Sequence, residues 1–176
     1  MKKHLLVLVF VLVGAMGYAQ APIDQGEVQL NAGFGFSNGG LPIYAGAEFG
    51  IGNNISLGGL LSYRGDKDSY SVAGTGYSWK YRYTTIAAFG NYHFNELLNI
   101  PSKFDFYAGV SLGYTIFKAK YDGSGSVSYA GSEGSGFYFS GQVGGRYFFT
   151  DRFAVNLEFG GGNYISGGKL GITYKF

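Results

Sequence analysis

The chain has 176 residues, 46% of them hydrophobic and 19% aromatic but only 14% charged, with 32 Gly and no Cys. An ordinary soluble domain carries about 25% charge and about 7% Gly. This balance excludes a disordered polyelectrolyte, and the lack of Cys excludes disulfide and thiolate-metal scaffolds. The length suits one domain rather than two.

The amino terminus reads as an export signal. Lys2 and Lys3 precede an apolar run from Leu5 to Val13, and Gly17 and Ala19 supply small residues at the −3 and −1 positions of a cleavage site. Residues 1–19 are therefore expected to be a signal peptide cut after Ala19, leaving 20–176 as the mature domain. The apolar run is short for a membrane-spanning helix, which weighs against an uncleaved anchor. Removing two of the 13 basic residues and none of the 11 acidic ones leaves eleven of each, a formal net charge of zero. No nucleic-acid partner is expected from such a balance.

After the signal no stretch approaches 18 consecutive apolar residues, and no long helical stripe is present. Alternation with a period of two recurs instead, in eight segments. Val28–Phe36, Ile43–Ile51, Ile55–Arg64 and Thr85–Phe94 form the first four, and Phe106–Ile116, Phe137–Phe149, Phe153–Gly160 and Lys169–Phe176 the rest. Each sets large apolar side chains against Gly, Ser, Thr, Asn and a few charges. At about 8–14 residues, they bracket the 9–11 that cross a membrane as a tilted strand. In the fourth segment Trp79, Tyr81 and Tyr83 fall in the opposite phase to Ile86 and Ala88. Either a bulge near Thr84–Thr85 shifts the register or the strand runs on beyond the membrane.

Connections alternate in length. Gly52–Asn54, Asn95–Lys103 and Thr150–Arg152 are short to moderate, whereas Gly65–Lys80 and Lys118–Ser135 are long, with Ser37–Pro42 and Gly162–Gly168 on the same side. Outer-membrane barrels show this pattern, with short periplasmic turns and longer outer loops; both termini are then periplasmic. The Gly- and Ser-rich Lys118–Ser135 loop is expected to be mobile. On the apolar face, aromatics gather at the strand ends, Phe34, Tyr63, Tyr114 and Phe137 on the loop side and Phe49, Tyr92, Tyr147 and Phe153 on the turn side. Leu, Val, Ile, Ala and Gly fill the middle. A bilayer selects two aromatic girdles around an aliphatic band, so the apolar face is expected to point outward into lipid, with small polar residues filling a narrow lumen.

With the exported eight-segment pattern, Gly144-Gly145-Arg146-Tyr147-Phe148-Phe149 before a tight turn, and the ending Lys169 to Phe176, the chain resembles the small eight-stranded outer-membrane barrels of Gram-negative bacteria, the OmpA/OmpX type. The resemblance implies an all-β, eight-stranded antiparallel up-and-down transmembrane barrel in the cell outer membrane, surrounded by outer-membrane lipids. It also implies that Leu170, Ile172, Tyr174 and the terminal Phe176 form an assembly signal read by the outer-membrane insertion machinery. Nothing follows Phe176 in this sequence, so no periplasmic peptidoglycan-binding domain is expected.

The lumen charges are the main candidate site residues. Glu48, Arg146 and Glu158 lie about four to six residues from their turns, at similar depth, and Arg146 and Glu158 would be diagonal neighbours across a hairpin. A lone charge in a narrow lumen is costly, so opposite charges at one level should pair, either as a fixed plug or as a gate that opens when pairs exchange. Arg64 lies near the outer rim of the same network. His93, the one mature histidine, sits at the turn end without an evident nucleophile. Asp122 to Glu133 resembles a calcium loop only in spacing, with Val127 where that loop needs Gly. No cofactor, metal or catalytic residue is expected. The expected role is a non-enzymatic barrel whose filled lumen anchors surface loops for adhesion, protection or envelope integrity. The alternatives are a narrow porin-like channel and, more remotely, a lipid-modifying enzyme. A surface ligand would meet loops 65–80 and 118–135.

Overall fold

The computed structural model describes residues 23–176 apart from 38–39, 73–74, 123–130, 132–133 and 165. The expected signal segment with its cleavage point at Ala19 lies outside the described residues, as do ten positions of the Lys118–Ser135 stretch, Glu133 among them. The described elements are β1 (Val28–Ser37), β2 (Ile43–Gly52), β3 (Ile55–Val72), β4 (Thr75–His93), a single helical turn α1 (Asn95–Leu98), β5 (Phe104–Asp122), β6 (Gly136–Phe148), β7 (Phe153–Gly162) and β8 (Ser166–Lys175). Each strand pairs antiparallel with its neighbours in sequence, and β8 returns to β1, from Gln29 opposite Lys175 to Ser37 opposite Gly167. Closure leaves no open edge in the barrel wall itself, which a β structure needs in hydrocarbon.

The burial pattern is that of a soluble protein turned inside out. Leu57, Leu61, Ile86, Val110, Leu112, Val143, Leu157 and Ile172 are all exposed, between 42% and 60%. The buried set is largely polar and includes Gln29, Glu48, Ser56, Arg64, Thr85, Asn91, His93, Asp105, Gln142, Arg146, Asn156 and Thr173. The outward apolar face and polar lumen expected from the alternation are therefore what the fold contains. Around the turn end aromatic rings touch in series: Tyr92 with Phe94, Phe104 with Phe106 and Tyr147, Tyr147 with Phe149, and Tyr174 with Phe153 and Phe176. Such rings suit the interface, where one edge meets lipid and the other water.

Lumen width is set by where side chains are missing. A Cβ on Gly144 would stand 2.4 Å from the Tyr107 ring, and one on Gly58 would stand 2.3 Å from the Phe89 ring. Both rings lie inward over a bare stretch of backbone on the facing strand. At the turn end, Asn53 and Asn54 both adopt left-handed φ values of 54° and 59°, as a two-residue hairpin turn requires.

Two expectations are corrected. The long connections 65–80 and 118–135 are not loops along their whole length. β3 and β4 stay paired from Tyr63 opposite Thr84 out to Val72 opposite Thr75, and β5 follows β4 as far as Asp122 opposite Ser78. No bulge occurs near Thr84–Thr85; the pairing is continuous, and Tyr83, Thr85, Ala87, Asn91 and His93 all point inward and are buried. The fourth strand therefore projects. The physical reason is that period-two alternation persists beyond the lipid while its outward residues change from Leu and Ile to Lys and Arg, so hydrophobicity no longer marks it. β1, β2, β7 and β8 have 10 residues each, β3 has 18, and β4 and β5 have 19, so three strands rise together beyond the barrel rim.

Candidate functional site

The lumen is crossed by one hydrogen-bonded layer centred on Glu48. One carboxylate oxygen accepts from Ser56 Oγ at 2.6 Å and Asn91 Nδ2 at 2.9 Å. The other accepts from Gln29 Nε2 at 3.1 Å and from the Arg146 guanidinium. Arg146 also donates to Asp105 Oδ2 at 2.6 Å, and its guanidinium carbon lies 4.4 Å above the Tyr107 ring. His93 lies between the two acids, with Nδ1 2.7 Å from Asp105 Oδ1 and Nε2 2.9 Å from Ser56 Oγ. The Arg146 guanidinium serves both carboxylates and the His93 ring bridges Asp105 and Ser56 between them, which is how two acids are tolerated away from water.

The layer spreads to the remaining strands. Asn91 accepts from Gln142 Nε2 at 3.0 Å, and Ser111 donates to Gln142 Oε1 at 3.0 Å. Asn156 Nδ2 donates to Thr173 Oγ1 at 2.9 Å, which donates to Asn31 Oδ1 at 2.6 Å. The members come from all eight strands, and Gln29, Glu48, Ser56, Asp105 and Thr173 have no exposed surface. Buried networks of this kind rigidify a core to the extent that their groups are paired; here Gln29 Oε1 and Arg146 Nε are buried without a hydrogen-bond partner among the described residues.

A second level lies on the side away from the turns. Glu158 meets Lys169, directly opposite on β8, at 2.6 Å and accepts from the Tyr107 hydroxyl at 3.0 Å. Tyr44 donates to Asn156 Oδ1 at 2.7 Å, below Lys169. Cavities of about 30 and 40 Å³ flank this level, sharing Tyr44, Gln142, Glu158 and Lys169 as walls. Each holds on the order of one or two waters. Arg64 stands apart near the rim, buried, 4.0 Å over the Tyr83 ring.

Of the sequence candidates, Glu48 and Arg146 are joined, whereas Glu158 and Arg64 belong to other levels. The Arg146–Glu158 pairing read from the hairpin does not form. Asn156 stands opposite Arg146 and Gly144 opposite Glu158, and Arg146 instead reaches across the narrow lumen to β2 and β5. Asp105 and His93 are members that sequence reasoning missed. Asp105 shares the parity of Tyr107 and Ser111, and extending that alternation one step before Phe106 finds it. Leu170, Ile172 and Phe176 face outward along the seam, and Tyr174 packs between Phe153 and Phe176.

The Ser56–His93–Asp105 series has the order of a hydrolase triad, but Ser56 has no exposed surface, hydrogen-bonds to Glu48 and lines neither cavity. Among the described residues no group of His, Asp and Glu is arranged to hold a metal.

Comparison with known proteins matches this geometry. The family described as "Outer membrane protein beta-barrel domain" matches residues 6–176. The chain belongs to that family. As a member of this outer-membrane barrel family it resides in the outer membrane, with its exposed apolar belt in lipid. Among solved structures, OprG of Pseudomonas aeruginosa is similar at TM-score 0.60 and 9% identity, over 89% of this chain and 99% of OprG. Ail of Yersinia pestis, in complex with the heparin analogue sucrose octasulfate, is similar at TM-score 0.53 and 15% identity, over 86% and 99%. Neisserial surface protein A follows at TM-score 0.51 and 19% identity, over 85% and 96%. At these identities the likeness is one of fold. No curated protein sequence matches the chain.

Proposed function

We propose that this family member is a non-enzymatic outer-membrane barrel with a closed lumen, and that it carries the β3–β4–β5 projection at the cell surface as a rigid platform for adhesion, protection or envelope integrity. The first described residues, before β1, and Phe176 lie at the turn end, and in this reading that end is periplasmic. The observation that supports it best is the Glu48–Arg146–Asp105–His93 layer, whose hydrogen-bonded partners bring in every strand and which spans the lumen from β2 to β5 and β6. A channel would require Arg146 to leave two carboxylates at once. In planar bilayers the refolded protein is expected to show no steady single-channel openings. Regular openings that disappear on neutralising Glu158 or Lys169, which wall the two small cavities, would replace this reading with that of a narrow channel.

The outward residues of β8 serve, in the same proposal, as the signal for insertion. Leu170, Ile172 and Phe176 present one apolar edge at the seam with β1. Phe176→Ser is expected to reduce the folded outer-membrane protein several-fold in cells while leaving refolding of the purified chain into detergent intact. Equal amounts in the membrane would remove this role.

A further inference from the structure

The three projecting strands carry a basic surface whose position against the lipid belt is unusual. The last outward row of the belt is Tyr63, Thr84 and Ile116, aligned across β3, β4 and β5. The next outward row is Gly65, Arg82 and Lys118, and the one above is Lys67, Lys80 and Lys120. The row beyond those begins with Ser69 and Ser78, and neither is basic. Two rows therefore hold five of the eleven Lys and Arg residues found beyond position 19. Arg82, Lys118, Lys67 and Lys120 are exposed. The acids of β3, Asp66 and Asp68, have the opposite parity, opposite Tyr81 and Trp79, on the face continuous with the lumen.

Like charges directly opposite one another weaken a sheet, and Arg82 faces Lys118 across the β4–β5 ladder. An anion held between them removes that cost. Height identifies the anion. A strand rises about 3.3 Å per residue, and at a barrel tilt of about 40° this is about 2.5 Å along the membrane normal. The Arg82 row therefore stands about 5 Å, and the Lys120 row about 10 Å, above the last belt residues. The headgroup zone adds about 5–7 Å to the hydrocarbon on each side. The first basic row thus lies at phosphate level and the second just outside it, on the face that touches lipid. Arginine and lysine together suit phosphate monoesters, the first by bidentate hydrogen bonds and the second as a mobile charge.

We infer that the outward face formed by Lys67, Arg82, Lys118 and Lys120 binds the phosphates of a phosphorylated glycolipid of the outer leaflet, so that the barrel carries an annular lipid at a built site. The inference rests on the proposed orientation, with the projecting hairpins outside the cell.

The test uses the full mature chain refolded in detergent and titrated with bis-phosphorylated lipid A, read as the rise in the temperature at which the folded gel band is lost. Each Lys or Arg beside an anionic lipid surface strengthens binding about fivefold. The Lys67→Ser, Arg82→Ser, Lys118→Ser, Lys120→Ser variant is expected to bind at least about tenfold more weakly. The Arg82→Ser, Lys118→Ser pair is expected to fall between it and the parent, which keeps the test open if the fourfold variant misfolds. Lys103→Ser with Arg152→Ser, two exposed cations at the turn end, is expected to leave binding unchanged. Dephosphorylated lipid A and phosphatidylglycerol should bind much more weakly to the parent. Equal binding by the fourfold variant and the parent overturns the inference. So does binding of phosphatidylglycerol as tight as that of lipid A, or binding of soluble dextran sulfate in preference to the lipid. Orientation is read separately. The chain has no Cys, so Lys120→Cys should react with a membrane-impermeant maleimide on intact cells. No labelling there refutes the orientation and the inference together, whereas labelling with unchanged lipid binding refutes the inference alone.

Discussion

Arg146→Met is expected to lower the unfolding free energy of the refolded barrel by about 3–5 kcal/mol, the loss seen when one partner of a buried ion pair is removed and the other charge stays behind. The effect should lie at the upper end because Arg146 serves two carboxylates, Glu48 and Asp105, neither of which has exposed surface. The substitution keeps most of the side-chain volume, so the loss reports the charge rather than a cavity. Combining it with Glu48→Gln and Asp105→Asn removes the stranded anions, and the triple variant is expected to regain much of the stability. That pattern distinguishes a compensated network from simple packing. A packing role would make the three changes add, whereas residues sharing one network do not. Urea titration, following the fraction that keeps the folded gel migration, gives the free energies. A loss under about 1 kcal/mol for Arg146→Met would mean that water reaches this layer and screens it, and the closed-lumen reading would fall with it.

The belt was legible in the sequence because it obeys a single rule. Lipid on one side and a narrow lumen on the other force a period of two with large residues outward, and Leu57, Ile86, Val110 and Ile172 followed it without exception. The projecting part of β3, β4 and β5 was not, because Lys67, Lys80, Arg82 and Lys120 alternate as strictly as Leu and Ile do but carry no hydrophobic signal. Gly65–Lys80 therefore read as a connection where the ladder in fact continues, with Gly65 opposite Arg82. Parity found Glu48 and Arg146 as inward charges, but parity along a strand does not specify partners across a lumen. Arg146 meets Glu48 from 98 positions away. Its partners depend on how far each strand is staggered around the barrel, and no local pattern encodes that. The pairing of Glu158 with Lys169 is different in kind, since the β7–β8 ladder places the two directly opposite one another.

Val110→Arg separates a lipid-facing surface from a water-facing one. Val110 is 60% exposed, midway along the part of β5 that lies in the belt, with Leu112 beside it on the same face. In phospholipid vesicles the variant is expected to lose about 2–4 kcal/mol of folding free energy, the cost of arginine at the midplane on the outside of a barrel. The same change at an exposed position in water is worth less than about 0.5 kcal/mol in either direction. Ser69→Arg supplies the internal comparison. It is exposed on the same strand system but three rows beyond the last belt row, and its substitution should fall in that small range. The two measurements share a residue type and a scaffold, so their difference is the price of hydrocarbon alone. If Val110→Arg proved as harmless as Ser69→Arg, the outward apolar face would be wetted rather than embedded. The alternation would then need another cause, since nothing in water favours Val110, Leu112, Ile86 and Leu61 standing exposed beside one another on adjacent strands.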